Sequence, residues 1–296
     1  MPASLGMRVA SLYLRLQRGP TRSPEALRRE YRTRAYPLPA KVSRGVRKIA
    51  EVKEARVASH LVYTLTPRAT PSDWHIVYTH GGSFVHAVDA AHWDILAAIV
   101  ASTRATVSVP IYPLAPEHPR AKAFELLEAI YRDLVATTDP GRIALCGDSA
   151  GGNLALAQAL HFRERALPLP ARIVLFSPWL DLTLADPAAI ALEQKDVMLR
   201  RDELVEFGRW WAGATDPRDP LLSPLFADLA GLPPILIFQG THDLFLPDAR
   251  TFRDRAVAAG VQATLFEADG AFHDYMAATF TPEAKAVFAE IAKSLR

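Results

Sequence analysis

Ser149 stands in the stretch Gly147-Asp148-Ser149-Ala150-Gly151-Gly152. An apolar run at 142–146 precedes it, and a segment at 153–165 with Leu154, Leu156, Ala157, Leu160 and Phe162 follows it. Strand, G-x-S-x-G and helix, in that order, make a nucleophile elbow. A sharp turn lifts the serine hydroxyl clear of the sheet, and Gly147 and Gly151 stand where the turn leaves no room for side chains. The helix that follows aims its first N–H groups, and the positive end of its dipole, at the charge that develops during attack. The chemistry this arrangement serves is acyl transfer.

A serine hydroxyl is a poor nucleophile until a base takes its proton, and the base needs a third group to fix its tautomer. After such an elbow the partners follow in the order Asp or Glu, then His. Of the nine histidines, 60, 75, 80, 86, 92 and 118 precede the serine, and His161 lies about three turns along the following helix. His242 and His273 remain. His242 adjoins Asp243 on one loop, and adjacent residues serve each other poorly as acid and base. His273 therefore reads as the base. Asp243, just past the strand at 235–239, reads as the acid, with Asp248 and Asp269 as nearby competitors. Donors for the oxyanion are expected from the N–H of Ala150 and from the loop His80-Gly81-Gly82-Ser83-Phe84, which follows a strand at 74–79. Phe84, Trp179, Phe207, Trp210 and Trp211 are candidates to line an apolar substrate pocket, with core packing as the alternative for each.

The elements that position these residues alternate. Strands are expected at 60–66, 74–79, 105–110, 142–146, 171–176, 235–239 and 262–266. Helices are expected at 90–101, 121–136, 153–165, 247–259 and 282–295. This rhythm specifies a mostly parallel, doubly wound α/β sheet flanked by helices. Residues 182–222 interrupt it with a helix at 202–212, an insertion placed where such sheets carry lids. At the other end, 4–18 reads as a helix with Leu5, Val9, Leu12 and Leu16 on one face. A second helix opens at Ser23-Pro24-Glu25, and its run of Arg28, Arg29, Arg32 and Arg34 reads as a solvated face. A lid, a membrane-surface anchor and a dimer contact compete for this N-terminal segment. The lid is favoured, because the apolar face is narrow and the segment short for interfacial binding alone.

Composition narrows the classes further. The 296 residues are 50% apolar and 22% charged, with a net charge of +2, which speaks against nucleic acid as a partner. The charge is uneven: residues 1–56 hold 14 Lys and Arg against 4 Asp and Glu, and the remainder is acidic. The single cysteine, Cys146, excludes an intramolecular disulfide and reads as a small buried hydrophobe. No apolar run is long enough to span a membrane, and Arg8 and Arg15 break any leader-like stretch, so a cytoplasmic protein is expected.

With these residues in place, the chain resembles the hormone-sensitive-lipase-like (family IV) carboxylesterases of the α/β-hydrolase fold. His80-Gly81-Gly82-Ser83-Phe84 is similar to that family's HGGG loop, Tyr112-Pro113-Leu114-Ala115-Pro116-Glu117-His118-Pro119 to its YRLAPEHP segment, and Gly147–Ala155 to its GDSAGGNLA elbow. Segments 177–181 and 219–225 carry the resemblance further, and it runs from about residue 60 to 296. It implies one α/β-hydrolase domain over 1–296, with a helical cap from about 1–50 and 183–222 on a core of 55–182 and 223–296. Ser149 would be nucleophile, Asp243 acid and His273 base. The oxyanion hole would lie in Gly81, Gly82, Ser83 and Ala150, with the last three as donors. The implied activity is hydrolysis of short- to medium-chain esters without metal or organic cofactor. A membrane-associated lipase, a lactone or acetyl-ester hydrolase and a non-catalytic binding member are the alternatives. Family members are often dimers, though no stretch here identifies a contact. Two departures stand out: Ser83 replaces the third loop glycine, and Phe272-His273-Asp274-Tyr275 replaces the commoner HGF ending, a change read as harmless.

Overall fold

The computed structural model describes residues 2–296. Its frame is an eight-stranded sheet in the order β1-β2-β4-β3-β5-β6-β7-β8. The strands are β1 (Ala50–Val57), β2 (His60–Pro67), β3 (His75–Thr79), β4 (Thr106–Pro110), β5 (Ile143–Asp148), β6 (Arg172–Phe176), β7 (Ile235–Gly240) and β8 (Ala263–Ala268). β2 runs antiparallel to both β1 and β4, and the strands from β4 through β8 are parallel. The expected doubly wound sheet is present.

Among the described residues ten α-helices cover it: α1 (Leu5–Gln17), α2 (Pro24–Thr33), α3 (Arg44–Ile49), α4 (Ala90–Thr103), α5 (Arg120–Val135), α6 (Ala150–Glu164), α7 (Pro187–Leu192), α8 (Arg201–Ala212), α9 (Leu246–Ala258) and α10 (Pro282–Ser294). Successive strand residues point to opposite faces. Ile76, Tyr78, Cys146, Val174 and Phe238 therefore pack into one core with α4 and α10, while Val77, Leu145, Ile173 and Ile237 pack into another with α6 and α9. Burial raises the Cys146 thiol well above its ordinary pKa, as a residue serving as a hydrophobe requires.

β1 is the element the pattern concealed. It carries Glu51, Lys53, Glu54 and Arg56 along an edge, nearly all solvent-facing. Its hairpin to β2 turns through Ala58 and Ser59, both at positive φ, without the Asn or Gly that usually marks such a turn. The short helices α3 and α7 were also unmarked. α6 starts at Ala150 rather than at 153, because the serine leads straight into the helix.

The N-terminal helices and the 183–222 insertion lie against each other. Arg22 reaches Glu203 at 2.5 Å and Arg28 reaches Glu206 at 2.6 Å, both glutamates being on α8. Arg34 pairs with Glu117 at 2.9 Å. The arginine run of α2 is thus partly committed to carboxylates rather than simply solvated. α1 departs from expectation more sharply. It docks through Met7, Ala10 and Leu14. Leu5, Val9, Leu12 and Leu16, the face expected to pack, are 58–77% exposed.

Candidate active site

β5 sits beside β3 with Gly147 opposite Thr79, so the loop after β3 begins level with the elbow. Ser149 has φ +52° and ψ −119°, a strained conformation for a side-chain-bearing residue. Its N–H donates to the Phe176 carbonyl at 2.8 Å, and its carbonyl accepts from Trp179 N–H at 3.1 Å. These bonds hold the turn from both sides. A Cβ on Gly151 would fall on the Thr79 carbonyl oxygen, and one on Gly147 would fall on the Gly151 carbonyl. Both glycines are sterically required, as the motif implied.

β7 and β8 pair through Gly240 and Ala268, so the loops that follow them leave one edge of the sheet together. There Asp243 and His273 meet: His273 Nδ1 lies 2.9 Å from Asp243 Oδ2. The other Asp243 oxygen accepts from Phe245 N–H at 2.9 Å. The competing residues lie elsewhere. His242 lines a separate surface depression with Arg8 and Leu12. Asp269 is exposed. Asp248 is buried, and burial and the carboxylates of Asp181 and Asp186 lift its pKa to about 8. Asp196, which carried no motif, is buried in the 183–222 segment. Its Oδ2 accepts from Leu244 N–H at 3.0 Å and its Oδ1 accepts from Met198 and Leu199 N–H at 2.8 Å, tying the insertion to the loop that carries Asp243.

On its other side His273 Nε2 faces Asp274, whose Oδ2 lies 3.1 Å away. Among the described residues no hydrogen bond joins Nε2 to the Ser149 hydroxyl. Burial works against an imidazolium at His273, but the Asp274 and Asp243 carboxylates outweigh it and raise the pKa well above the ordinary histidine value.

The loop after β3 carries Gly82, Ser83 and Phe84 in succession at positive φ. The N–H groups of Gly82 and Ser83 have no acceptor among the described residues, and both residues border the same cavity as Ser149. Ala150 opens α6, so its N–H has no preceding helical carbonyl. Gly81 requires a correction. Its N–H donates to Asp148 Oδ2 at 2.9 Å and is therefore committed to holding the loop rather than facing an oxyanion. Asp148 is buried, and it also accepts from the Tyr78 hydroxyl. His92 Nε2 lies 3.3 Å from Asp148, and its Nδ1 lies 2.7 Å from Asp89. Burial would lower the His92 pKa, but chiefly the Asp148 carboxylate raises it to about 10. An ion pair thus braces the oxyanion loop against the elbow. Neither His92 nor the role of Asp148 was visible in the sequence, since the partners are 56 positions apart and on different elements.

Ser149, His273 and Asp274 open on a cavity of about 740 Å³. Its apolar wall includes Val9 and Tyr13 of α1, Ile95 of α4, Met198, Phe272 and Phe280. Among the described residues, none of the five aromatic residues expected to line a pocket borders this cavity. Phe84 stacks on Trp211 with ring centroids 4.5 Å apart, Trp179 stacks on Phe245 at 5.9 Å, and Tyr31 contacts Phe207 and Trp210. The reason is that α8 turns Leu204, Phe207 and Trp211 into a third core shared with α2 and the oxyanion loop, while α1 and α4 supply the cavity wall.

The residues 76–277 match the family described as alpha/beta hydrolase fold. The chain belongs to that family. It is 36% identical over 199 residues to an acetyl-hydrolase of Streptomyces hygroscopicus, covering 67% of each chain. It is 35% identical over 222 residues to an esterase of Acinetobacter venetianus, covering 74% of this chain and 73% of the other. A solved esterase from the bacterial hormone-sensitive lipase family superposes with a TM-score of 0.84 at 30% identity, covering 100% and 99% of the two chains. The chain is a carboxylic ester hydrolase of the hormone-sensitive-lipase-like group of α/β-hydrolases.

Proposed function

We propose that this α/β-hydrolase cleaves short- to medium-chain esters through an acyl-enzyme on Ser149. One observation carries the reading: His273, held by Asp243 at 2.9 Å, borders the same cavity as Ser149 and as Gly82 and Ser83, whose N–H groups have no acceptor among the described residues. Ser149 Oγ attacks the ester carbonyl as its proton passes to His273 Nε2. Asp243 holds Nδ1–H and favours the imidazolium. The N–H groups of Gly82, Ser83 and Ala150 receive the oxyanion. His273 then protonates the leaving alkoxide, and a water deacylates Ser149 by the same route. Segments 1–50 and 183–222 act as a cap whose α1 closes one wall of the cavity. The acetyl-hydrolase relative supports a small acyl group, and lactones and acetylated alcohols suit the same apolar wall. The test is turnover of p-nitrophenyl esters graded from acetate to decanoate. Ser149→Ala and His273→Ala should each lose at least about a thousandfold in kcat. Wild-type turnover by Ser149→Ala would sink the assignment.

A second reading concerns where the ester is met, and it rests on α1. Leu5, Val9, Leu12, Tyr13 and Leu16 form an exposed apolar stripe. The stripe is continuous with the cavity mouth through Val9 and Tyr13, with Phe280 and Met198 on the rim. Arg8 and Arg15 are exposed on the same helix, which contains no acidic residue. An apolar face with basic flanks suits an anionic lipid–water interface. Leu5, Leu12 and Leu16 do not border the cavity, so their joint replacement by serine should leave hydrolysis of dissolved p-nitrophenyl acetate unchanged. It should abolish cosedimentation with phosphatidylglycerol vesicles. Absence of wild-type cosedimentation, or a dimer in light scattering that the triple substitution dissolves, would refute the lipid reading.

A further inference from the structure

Asp274 follows the histidine directly, at a position where the backbone has φ +52° and ψ +37°. That left-handed conformation suits glycine, and an aspartate held in it stores strain. Its N–H donates to Ser177 Oγ at 3.0 Å, which fixes the turn and aims the carboxylate back at the imidazole. Asp274 Oδ2 then lies 3.1 Å from His273 Nε2, and Oδ1 is buried without a hydrogen-bond partner. The residue also borders the cavity beside Ser149. His273 is consequently held between two carboxylates, Asp243 on Nδ1 and Asp274 on Nε2. Only Asp243 serves the reaction, because Nε2 is the atom that must accept the serine proton.

We propose that Asp274 is a positioning residue that captures the base: it occupies the Nε2 side of His273 in the resting enzyme and must release it before Ser149 can be activated. The inference rests on His273 being the base for Ser149. Release involves one proton and no change of bonding between heavy atoms. The proton shared by Nε2 and the Asp274 carboxylate leaves through the cavity to water. Nε2 is then left with its lone pair for the Ser149 proton, while the Nδ1–H stays on Asp243.

The surroundings set the sign of the effect. His273 faces Asp243 from the loop after β7 and Asp274 from its own loop. Asp196 lies behind Asp243. Across the cavity Asp148 stands on the elbow, paired with His92 of α4, which also holds Asp89. Burial raises the Asp274 pKa above the ordinary carboxylate value, with Asp148 and Asp243 adding to it, while the His273 cation draws it back down. Each carboxylate favours the protonated imidazole, so each moves the onset of activity to higher pH. Removing Asp274 leaves Asp243 as the only direct partner and moves the onset down.

The experiment is the pH profile of kcat/KM for a soluble p-nitrophenyl ester in wild type, Asp274→Asn and Asp274→Gly. Glycine suits the local backbone, which guards against a folding failure of the asparagine variant. Both variants should show an acid limb about 1 to 3 pH units lower than wild type, with plateau values within about threefold. At pH 6 they should be at least about tenfold faster than wild type. Superimposable limbs, or a plateau collapse of a hundredfold or more in both variants, would overturn the proposal. The His273 imidazole signal, titrated by NMR in Ser149→Ala with and without Asp274→Asn, gives a readout that does not depend on hydrolysis. A downward shift there, together with intact turnover by Ser149→Ala alone, would mean that the capture is real and the triad reading is wrong. No shift would end the capture itself.

Discussion

Replacing His92 with leucine removes the counter-charge of Asp148 without touching Ser149, Asp243 or His273. In the native enzyme the Asp148 carboxylate is buried and is held by His92 Nε2 at 3.3 Å, by the Tyr78 hydroxyl and by Gly81 N–H at 2.9 Å. Stranding one partner of a buried ion pair costs about 3–5 kcal/mol, and the two surviving hydrogen bonds place His92→Leu toward the lower end. The pH dependence gives an independent figure. Folding raises the His92 pKa from 6.5 to about 10, and each unit is worth about 1.4 kcal/mol, so the contacts of His92 with Asp148 and Asp89 together contribute up to about 5 kcal/mol. A raised pKa places that stability below pH 6.5 and removes it as pH climbs toward 10. Asp148, whose carboxyl is held low chiefly by His92 against its own burial, loses its share as pH falls below the ordinary carboxylate range. Urea unfolding of wild type and His92→Leu at intervals from pH 6 to pH 10 should therefore give two curves that converge at the alkaline end. At pH 7 kcat should also fall by up to about a hundredfold, because the Asp148 carboxylate, still bonded to Gly81 but without its counter-charge, is free to shift and carries the oxyanion loop with it. The double variant His92→Leu/Asp148→Asn should recover part of the stability, since no charge is stranded. Equal unfolding midpoints for wild type and His92→Leu across the whole range would refute the reasoning.

Trp211→Ala removes a fully buried ring stacked on Phe84 and should cost about 3–5 kcal/mol in urea unfolding. Its acyl-length preference should match wild type, because the ring does not border the cavity; a changed preference would return the aromatic column to the substrate site. Ser83→Gly relieves a left-handed conformation at φ +55° and should raise stability by about 1 kcal/mol. It should also widen the range of bulky acyl groups accepted, measured as kcat/KM for a branched against a linear ester. Gly151→Ala places a methyl group on the Thr79 carbonyl and should abolish soluble expression or lower the thermal midpoint by more than about 10 °C.

Much of the site was legible because the chemistry is local or ordered along the chain. Gly147, Ser149 and Gly151 carry their geometric requirement in five consecutive positions. Asp243 and His273 were reached by chain order and elimination, since seven histidines lay before the serine or inside the helix after it and His242 adjoins Asp243 on one loop. The parallel sheet was legible because buried strands and amphipathic helices alternate with different periods. Where the periodicity lacked a buried side to contrast with, it failed. β1, with charged residues along an exposed edge and a turn through Ala58 and Ser59, resembles neither a buried strand nor a marked hairpin.

Four matters were decided only by the tertiary structure, and all concern what a side chain faces. An apolar stripe on α1 is the same pattern whether it points inward or outward; Met7, Ala10 and Leu14 take the inward side and leave Leu5, Leu12 and Leu16 in solvent. Five aromatic residues are equally good as pocket or core, and the path of α8 put them in the core. The Gly81 N–H is an oxyanion donor or a loop anchor according to whether a carboxylate reaches it, and Asp148 does. Asp274, read from the sequence as a harmless change, acquires its meaning from a turn at φ +52° that swings its carboxylate to His273 Nε2. Residue types and order determine which chemistry a chain can attempt. Which lone pairs and protons are left free for it depends on contacts between positions far apart in the chain, and only folding makes those contacts.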